Sequence, residues 1–555
     1  MNGIQAFLEV LVAGGTRYLF GNPGSTELPL SDALATDPRL EYILSLHELP
    51  LLAIADGYAM ASGRLGVACV HISGGLGNAM GMLFNAYREG TPLLIMAGQQ
   101  DRRLRFQEPA MESDMVAVAR PWTKWAAEIN RVEDVPTAVR RAAQVALTPP
   151  TGPVFLALPV DVQLEPADGL DLRGPRIPDR RVRPSAEALA QAAALLVEAR
   201  APAILAGSRV TEAGGVAELT QLAERLGAPV FAEMQTSHGR LPIAADHPLY
   251  AGILPQWAPD IRDRLAEFDV ILVVGMNLLR ELVYRGPDQA IPDQARLIQL
   301  DANPWELGKN YSVEVGLLGD PKTGLAELAD RVAGLQTAEH VQAAADRGAG
   351  HAAISAADRA ALSEQIAAQW DVRPMTPLAL MGALARALPP NAVVVEEAAT
   401  THQNVLERLN VFGDATGHFA HRGWALGWGL GCAIGVKLAW PDRPVVALLG
   451  DGAALYGIQG LWTAARYHIP VTFVVANNAQ YKILKTSAGV MGLTHVPRAG
   501  YRGMDLDNPA VDIEGMARSL GVEALCVTEP DALTEVVAGS FSRSEPLLLE
   551  VPIER

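Results

Sequence analysis

A chain of 555 residues exceeds what one hydrophobic core can organise, and its 49% apolar content, richer in Leu, Val, Ile and Ala than in aromatics, suits buried parallel strands covered by helices. A formal charge of −17 excludes a nucleic-acid backbone or an anionic membrane as the main partner, because either would repel the chain; small ligands held by a metal or by local cations remain. Cys69, Cys432 and Cys526 lie far apart in apolar or Gly-rich sequence, which leaves neither a disulfide framework nor a paired-cysteine metal site and predicts buried free thiols in a reducing compartment.

The N-terminal stretch MNGIQAFLEVLVAGG has no basic leader and carries Glu9 inside its apolar run, so no secretory signal is read. No uninterrupted apolar run approaches the ~20 residues that span a bilayer, and a cytoplasmic location is expected. Residues 1–165 alternate amphipathic helix with short apolar strands, predicted in RYLFGNPG, EYILSLHE, VACVHIS, PLLIMAGQ and PVFLALP. Strands separated by helices imply parallel βαβ units. A Pro-, Arg- and Asp-rich linker without period covers 166–185. A second unit over 186–334 places strands in PAILAGS, PVFAEM, VILVVGM and RLIQLDA. Residues 335–372 read as an Ala-rich polar helical connection with the patternless DRGAGHAA inside it. The third unit, 373–555, has strands in AVVVEEA, VVALLGD and VTFVVAN and closes on PLLLEVPI. The expected fold is therefore α/β, with three doubly wound parallel-sheet domains. The first and third units match in size and alternation, yet no residue-level repeat links them.

Chemistry concentrates in LLGDGAALYGIQGLWTAARYHIPVTFVVANN. The strand RPVVALLG stops at Gly450, which places Asp451 at the carboxyl end of a strand, where open parallel sheets bind ligands. The helical stretch that follows puts Ile458, Leu461, Trp462 and Ala465 on one face, and the returning strand VTFVVA delivers Asn477 and Asn478 to the same edge. A carboxylate, a carboxamide, a backbone carbonyl and room for phosphate oxygens suit Mg²⁺, which takes few protein ligands. Gly450 and Gly452 let peptide N–H groups approach phosphates. Gly-Asp-Gly alone is a common turn; Gly-Asp-Gly with Asn-Asn 24 residues later resembles the signature of thiamine diphosphate-dependent enzymes. The resemblance implies that Asp451, Asn478 and the backbone oxygen of Gln480 hold the metal, with Gly450, Gly452, Ala453 and Tyr481 around the cofactor.

In that family a glutamate of the first domain hydrogen-bonds the cofactor's pyrimidine ring, and YILSLHELPLLAIADGYAMASGR supplies Glu48 at the end of a strand. A carboxyl flanked by Leu46, Leu49, Leu51 and Leu52 is expected to be desolvated. Leu426, in HRGWALGWGLGCAIGVKLA, aligns with the bulky residue that props the cofactor into a bent shape. Glu48 and Asp451 stand roughly 400 residues apart, and in the family they come from two subunits, so a homodimer is the minimum assembly and a homotetramer the one implied.

The best local resemblances are to benzoylformate decarboxylases, through FGNPGSTELP and CVHISGGLGNAMGMLFNAYREGTPLLIMAGQQ. These carry Ser25 and His71 where that family binds the substrate carboxylate and relays protons. Two departures stand out. MNLLRELVYRGPDQ has no middle-domain histidine, leaving Arg280, Glu281 or Tyr284 as substitutes. In the pocket helix YKILKTS, next to Leu484, Ile483 replaces a smaller residue, and Ser487 replaces an aromatic, which narrows the pocket and removes stacking for a phenyl group. The resemblance thus implies decarboxylation of a 2-oxo acid other than benzoylformate, with acetolactate synthase-like carboligation as the alternative. Acetolactate synthases bind FAD through the middle domain; here no GxGxxG follows a strand, LAGSRVTEAGG being too loose, and FAD is not expected. The same absence argues against a nicotinamide dehydrogenase, and intact Glu48, Asp451 and Asn478 argue against a cofactor-binding protein without turnover.

Overall fold

The computed structural model describes residues 1–234, 239–281 and 284–555. Their named strands form three six-stranded sheets, every adjacent pair parallel. The first comprises β1 (Tyr18–Gly21), β2 (Glu41–Leu44), β3 (Gly66–Val70), β4 (Leu93–Gln99), β5 (Trp125–Glu128) and β6 (Val154–Pro159), ordered β2-β1-β3-β4-β6-β5. The middle sheet contains β7 (Pro202–Ala206), β8 (Val230–Ala232), β9 (Tyr250–Ile253), β10 (Val270–Val274), β11 (Arg296–Asp301) and β12 (Val315–Leu318), ordered β12-β11-β10-β7-β8-β9. In the third, β13 (Val393–Glu397), β14 (His418–Ala420), β15 (Val445–Gly450), β16 (Thr472–Asn477), β17 (Glu523–Cys526) and β18 (Leu547–Pro552) run β14-β13-β15-β16-β18-β17. Counted from its own first strand, the third sheet repeats the order of the first, a kinship that no residue repeat announces. The middle sheet has the doubly wound order of dinucleotide-binding folds.

Inner strands carry the predicted apolar runs: β3, β4, β6, β7 and β10 are buried at every residue. The connection is one unbroken helix, Ala338–Gln369, with DRGAGHAA inside it. It packs closely on the middle unit: a Cβ added at Gly227 would lie 1.9 Å from the Ala344 carbonyl oxygen. Two expectations need correction. Cys69 and Cys432 are buried, but Cys526 is exposed on β17, at a sheet edge. The helix after Asp451 breaks into Asp451–Gly457 and Gly460–Arg466, so Ile458 and Leu461 are buried as expected, but Thr463 and Ala464 join them while Trp462 and Ala465 are half-buried.

The first and third units meet through equivalent helices, Glu48–Ser62 after β2 and Trp428–Ala439 after β14. Both are apolar nearly all round, and glycines let their backbones touch: a Cβ at Gly57 would lie 2.2 Å from the Cys432 carbonyl oxygen, and one at Gly435 2.0 Å from that of Ile54. Trp428 Nε1 donates to Asp56 Oδ2 across this contact at 2.6 Å, and burial raises the Asp56 carboxyl to about 6. Gly435→Ala is expected to destabilise the protein by about 1–3 kcal/mol, the usual penalty of an overfilled contact, read as a lower denaturation midpoint.

Candidate active site

The central strand β15 delivers Asp451 to the carboxyl edge of the third sheet as the first residue of a short helix. Asp451 is 5% exposed, and its Oδ2 has no hydrogen-bond partner among the described residues. Burial raises its pKa, opposed by the peptide groups of Gly452, Ala479 and Gln480 that face it. The neighbouring β16 ends in Asn477, whose two ends are committed to structure: Nδ2 donates to Glu550 at 2.6 Å and Oδ1 accepts from Ala479 N at 2.9 Å. Asn478, buried, accepts from Gln480 N at 3.1 Å. Between Asn478 and Gln480, Ala479 takes a left-handed φ of 53°, a turn in which the peptide groups of Ala479 and Gln480 face Asp451. The Tyr481 ring covers Gly452, where an added Cβ would lie 2.6 Å from Tyr481 Cε1. A buried carboxylate oxygen without a partner, facing a tight turn of the chain, fits one position of the oxygen donor set a divalent cation takes.

At the carboxyl edge of the first sheet, Glu48 is the first residue of its helix, capped by His47, whose Nδ1 accepts from Leu49 N at 3.1 Å. It is 4% exposed, but leucines do not enclose its carboxyl as expected. The helix turns Leu51 and Leu52 into the core and leaves Leu46 exposed, while Asn22 Nδ2 and Asn78 Nδ2 donate to Oε1 and Oε2, each at 3.1 Å. Gly75 packs against both Glu48 and His71; a Cβ there would lie 2.6 Å from Glu48 Oε1 and 3.2 Å from His71 Cβ. Ser25 is exposed, beside Gly24, whose hydrogen faces the His71 ring where a Cβ would collide at 1.6 Å.

Sequence reading missed Glu27. This buried carboxylate holds His71 Nδ1 at 2.9 Å through Oε2, while Oε1 accepts from Gly98 N at 2.7 Å. His71 is followed by Ile72 at φ 31°, a strained backbone for a β-branched residue that fixes where the imidazole leaves the sheet. A carboxylate on Nδ1 sets the ring's tautomer and leaves Nε2 as its working nitrogen. Glu27→Gln is expected to lower kcat about 10- to 100-fold and to alter the pH profile, with the melting temperature the control for folding. The signal was present in the sequence: an acid in GNPGSTE, just after an apolar strand.

A second missed group lines the small cavity under Leu426: Glu396, Glu397, His402, His421 and Trp424. Glu397 accepts the N–H groups of Gly427, Trp428 and Gly429 at 2.9, 3.2 and 2.8 Å, and burial nevertheless lifts its carboxyl to about 7. Burial alone would raise Glu396, but His402 Nδ1 at 2.6 Å and His418 Nε2 at 3.3 Å hold it below the usual carboxylate range. His421 is pushed down to about 4 by burial and is therefore neutral near pH 7. The Leu426 loop is anchored from the other units. Asn85 Nδ2 donates to Ala425 O at 2.8 Å, and Arg422 pairs with Glu89 at 2.8 Å and Glu212 at 2.6 Å. Paired acids closing VVVEEA were the available clue.

The remaining candidates are dispersed. Ile483 and Leu484 are 38% and 48% exposed on the helix Lys482–Val490. Arg280 is turned to the middle unit, 3.6 Å from Glu306, and burial lowers it to about 10; burial raises the Glu281 carboxyl. Tyr284 is 75% exposed and donates to Asp288, and residues 282–283 of that stretch lie outside the described residues. Within one chain Glu48 and Asp451 have separate neighbours.

Family models match all three units: the thiamine pyrophosphate enzyme N-terminal TPP binding domain over residues 1–118, the central domain over 189–328 and the C-terminal TPP binding domain over 398–551. The chain is 33% identical to a benzoylformate decarboxylase of Pseudomonas aeruginosa over 552 residues, 99% of this chain and 98% of the relative. It is 26% identical to an acetolactate synthase large subunit of Haemophilus influenzae over 555 residues, covering 99% and 93%. The structure superposes on the thiamine diphosphate-dependent 4-hydroxybenzoylformate decarboxylase of Rhodococcus jostii RHA1 with a TM-score of 0.87 at 28% identity, covering 100% of this chain and 99% of that one. With a cation-ready carboxylate on one sheet edge, a carboxamide-held glutamate on the matching edge of a second, and family matches across all three units, the chain belongs to the thiamine pyrophosphate-dependent enzymes.

Proposed function

We propose that this chain is a thiamine diphosphate- and magnesium-dependent, non-oxidative decarboxylase of a 2-oxo acid with an aliphatic or polar side chain. The observation that carries the reading is the unpartnered, buried Oδ2 of Asp451, faced by the peptide groups of Ala479 and Gln480 next to buried Asn478. Those three would hold the metal, the last through its backbone oxygen, while Gly450, Gly452, Ala453 and Tyr481 line the cofactor's diphosphate end. When bound, the thiazolium ring accepts the electron pair left behind as carbon dioxide departs. Glu48 would hydrogen-bond the pyrimidine ring and exchange a proton with it, and Leu426 would fill the space beneath. His71, oriented by Glu27, would take up or return a proton at Nε2, and Ser25 would orient the substrate carboxylate.

Carboligation is the second reading, favoured by one observation: of the residues that could replace a middle-domain histidine, Arg280 is paired with Glu306 and Tyr284 with Asp288, which draws both toward their own unit. Support for a homodimer, and for a homotetramer built from it, comes from apolar side chains left in the open on both site-bearing units, Leu46 at 46%, Phe106 at 101% and Leu484 at 48%. Domain limits of 1–165, 186–334 and 373–555 accord with the sheets and the family matches. A cytoplasmic location is part of the same reading; among the described residues no helix is long and apolar enough to cross a membrane.

The test supplies magnesium, thiamine diphosphate and a panel of 2-oxo acids, recording carbon dioxide, aldehydes and acyloins separately. Aliphatic acids are expected to exceed benzoylformate in kcat/KM by about tenfold or more, the worth of one well-matched pocket contact. Equal or better turnover of benzoylformate overturns the pocket assignment, and coupled products without free aldehyde place the chain with the carboligases.

A further inference from the structure

We propose that a second cavity, away from the candidate active site, binds a small organic carboxylate with an apolar body, and that its occupancy is passed to the Leu426 pocket by a loop the two cavities share. The cavity measures about 380 Å³ and opens between β8 and β9 of the middle unit, the helix Ala338–Gln369 and the residues following β13. That volume falls in the range of about 300–1,000 Å³ typical of small-molecule sites. Its floor is apolar: Leu249, Phe231 and Phe268 are buried, the two rings meeting edge-on at 5.8 Å. Tyr250 stands among them, 5% exposed, with a hydroxyl that has no hydrogen-bond partner among the described residues. A buried hydroxyl without a partner is unfavourable, and a ligand oxygen in this cavity would satisfy it. The lining also carries three arginines, Arg264, Arg359 and Arg408, and three acids, Glu267, Asp358 and Glu407. Arg264 lies 5.2 Å from the centre of the Phe231 ring, so one cation borders the apolar floor directly. A carboxylate oriented toward Arg264, away from the acids, would rest its apolar body on the aromatic rings and bring an oxygen to the Tyr250 hydroxyl.

The shared loop gives the cavity a route to the active site. Gln403 and Asn404 are consecutive non-glycine residues with φ of 42° and 54°, a strained pair that a small shift can relax. Asn404 lines both cavities. On one side His402 pairs with Glu396; on the other, Glu407 of the outer cavity lies 3.6 Å from His418, itself 3.3 Å from Glu396. Movement of the loop therefore reaches the wall beneath Leu426. This coupling rests on the cofactor reading above, whereas binding in the outer cavity does not.

Benzoate is a suitable probe, titrated calorimetrically into the full-length chain. One molecule is expected to bind per chain. Tyr250→Phe, which removes an oxygen without a protein partner, is expected to weaken binding about tenfold. Ser355→Trp, from the helix lining the cavity, should abolish it, and His71→Ala should leave it intact. Saturating benzoate is further expected to change the affinity for thiamine diphosphate with magnesium about fivefold in the unmodified protein and not in Ser355→Trp. Unchanged binding in both cavity variants, loss in His71→Ala alone, or no saturable heat overturns the site. An unchanged thiamine diphosphate affinity in benzoate-saturated protein overturns the coupling. Protein that binds benzoate as expected but never binds thiamine diphosphate refutes the cofactor reading and leaves the outer site standing.

Discussion

Exchange of Asp451 for asparagine is expected to weaken magnesium-dependent binding of thiamine diphosphate by at least about 100-fold, or about 2.7 kcal/mol, and to remove turnover with it. Asparagine keeps the shape and one oxygen but deletes the charge that a divalent cation needs in a site too dry to screen it. Because the Asp451 carboxylate sits buried with its pKa raised by that burial, the neutral variant should fold at least as well as the parent. Calorimetry with and without magnesium gives the affinities, and a thermal melt without cofactor gives the fold. Equal affinity in the two proteins would remove Asp451 from the metal site.

Glu48→Gln should behave in the opposite way, retaining cofactor within a few-fold but losing turnover by about 10²- to 10⁴-fold, the range associated with removing a group that handles a proton. Asn22 and Asn78 present N–H donors to both oxygens of Glu48, so a glutamine must turn its own NH₂ against one of them. The loss is thus both chemical and orientational, and Glu48→Asp, which keeps the charge but withdraws it, separates the two. Unaltered cofactor-dependent turnover in Glu48→Gln would show that the proton is handled elsewhere.

The inner strands were legible because full burial demands an unbroken apolar run, as in VVALLG and VILVV. The strands that were not predicted, β5, β9, β12, β14 and β17, all lie at sheet edges. There one flank is open, and WAAE, HFA and EALC, at three or four residues each, are too short for an apolar run or an alternation to stand out from loop. The same contrast governs the site. Asp451 and Asn478 could be placed because each follows a strand that sequence alone delimits. Glu27, Glu396 and His402 could not, since their roles depend on partners in other segments: His71 for Glu27, His418 for Glu396. Arg422 is a further case, since its partners Glu89 and Glu212 belong to two other units and no local pattern marks it.

The identical strand order of the outer sheets makes their chemistry comparable slot by slot. His71 opens the segment after the third strand of the first sheet, and Asp451 occupies the corresponding slot of the other; Glu48 opens the helix after strand two in one, while His421 follows strand two in its counterpart. One wiring diagram has been furnished twice, with an imidazole where its twin carries a carboxylate. Any comparison of the two units must therefore align crossovers instead of residues.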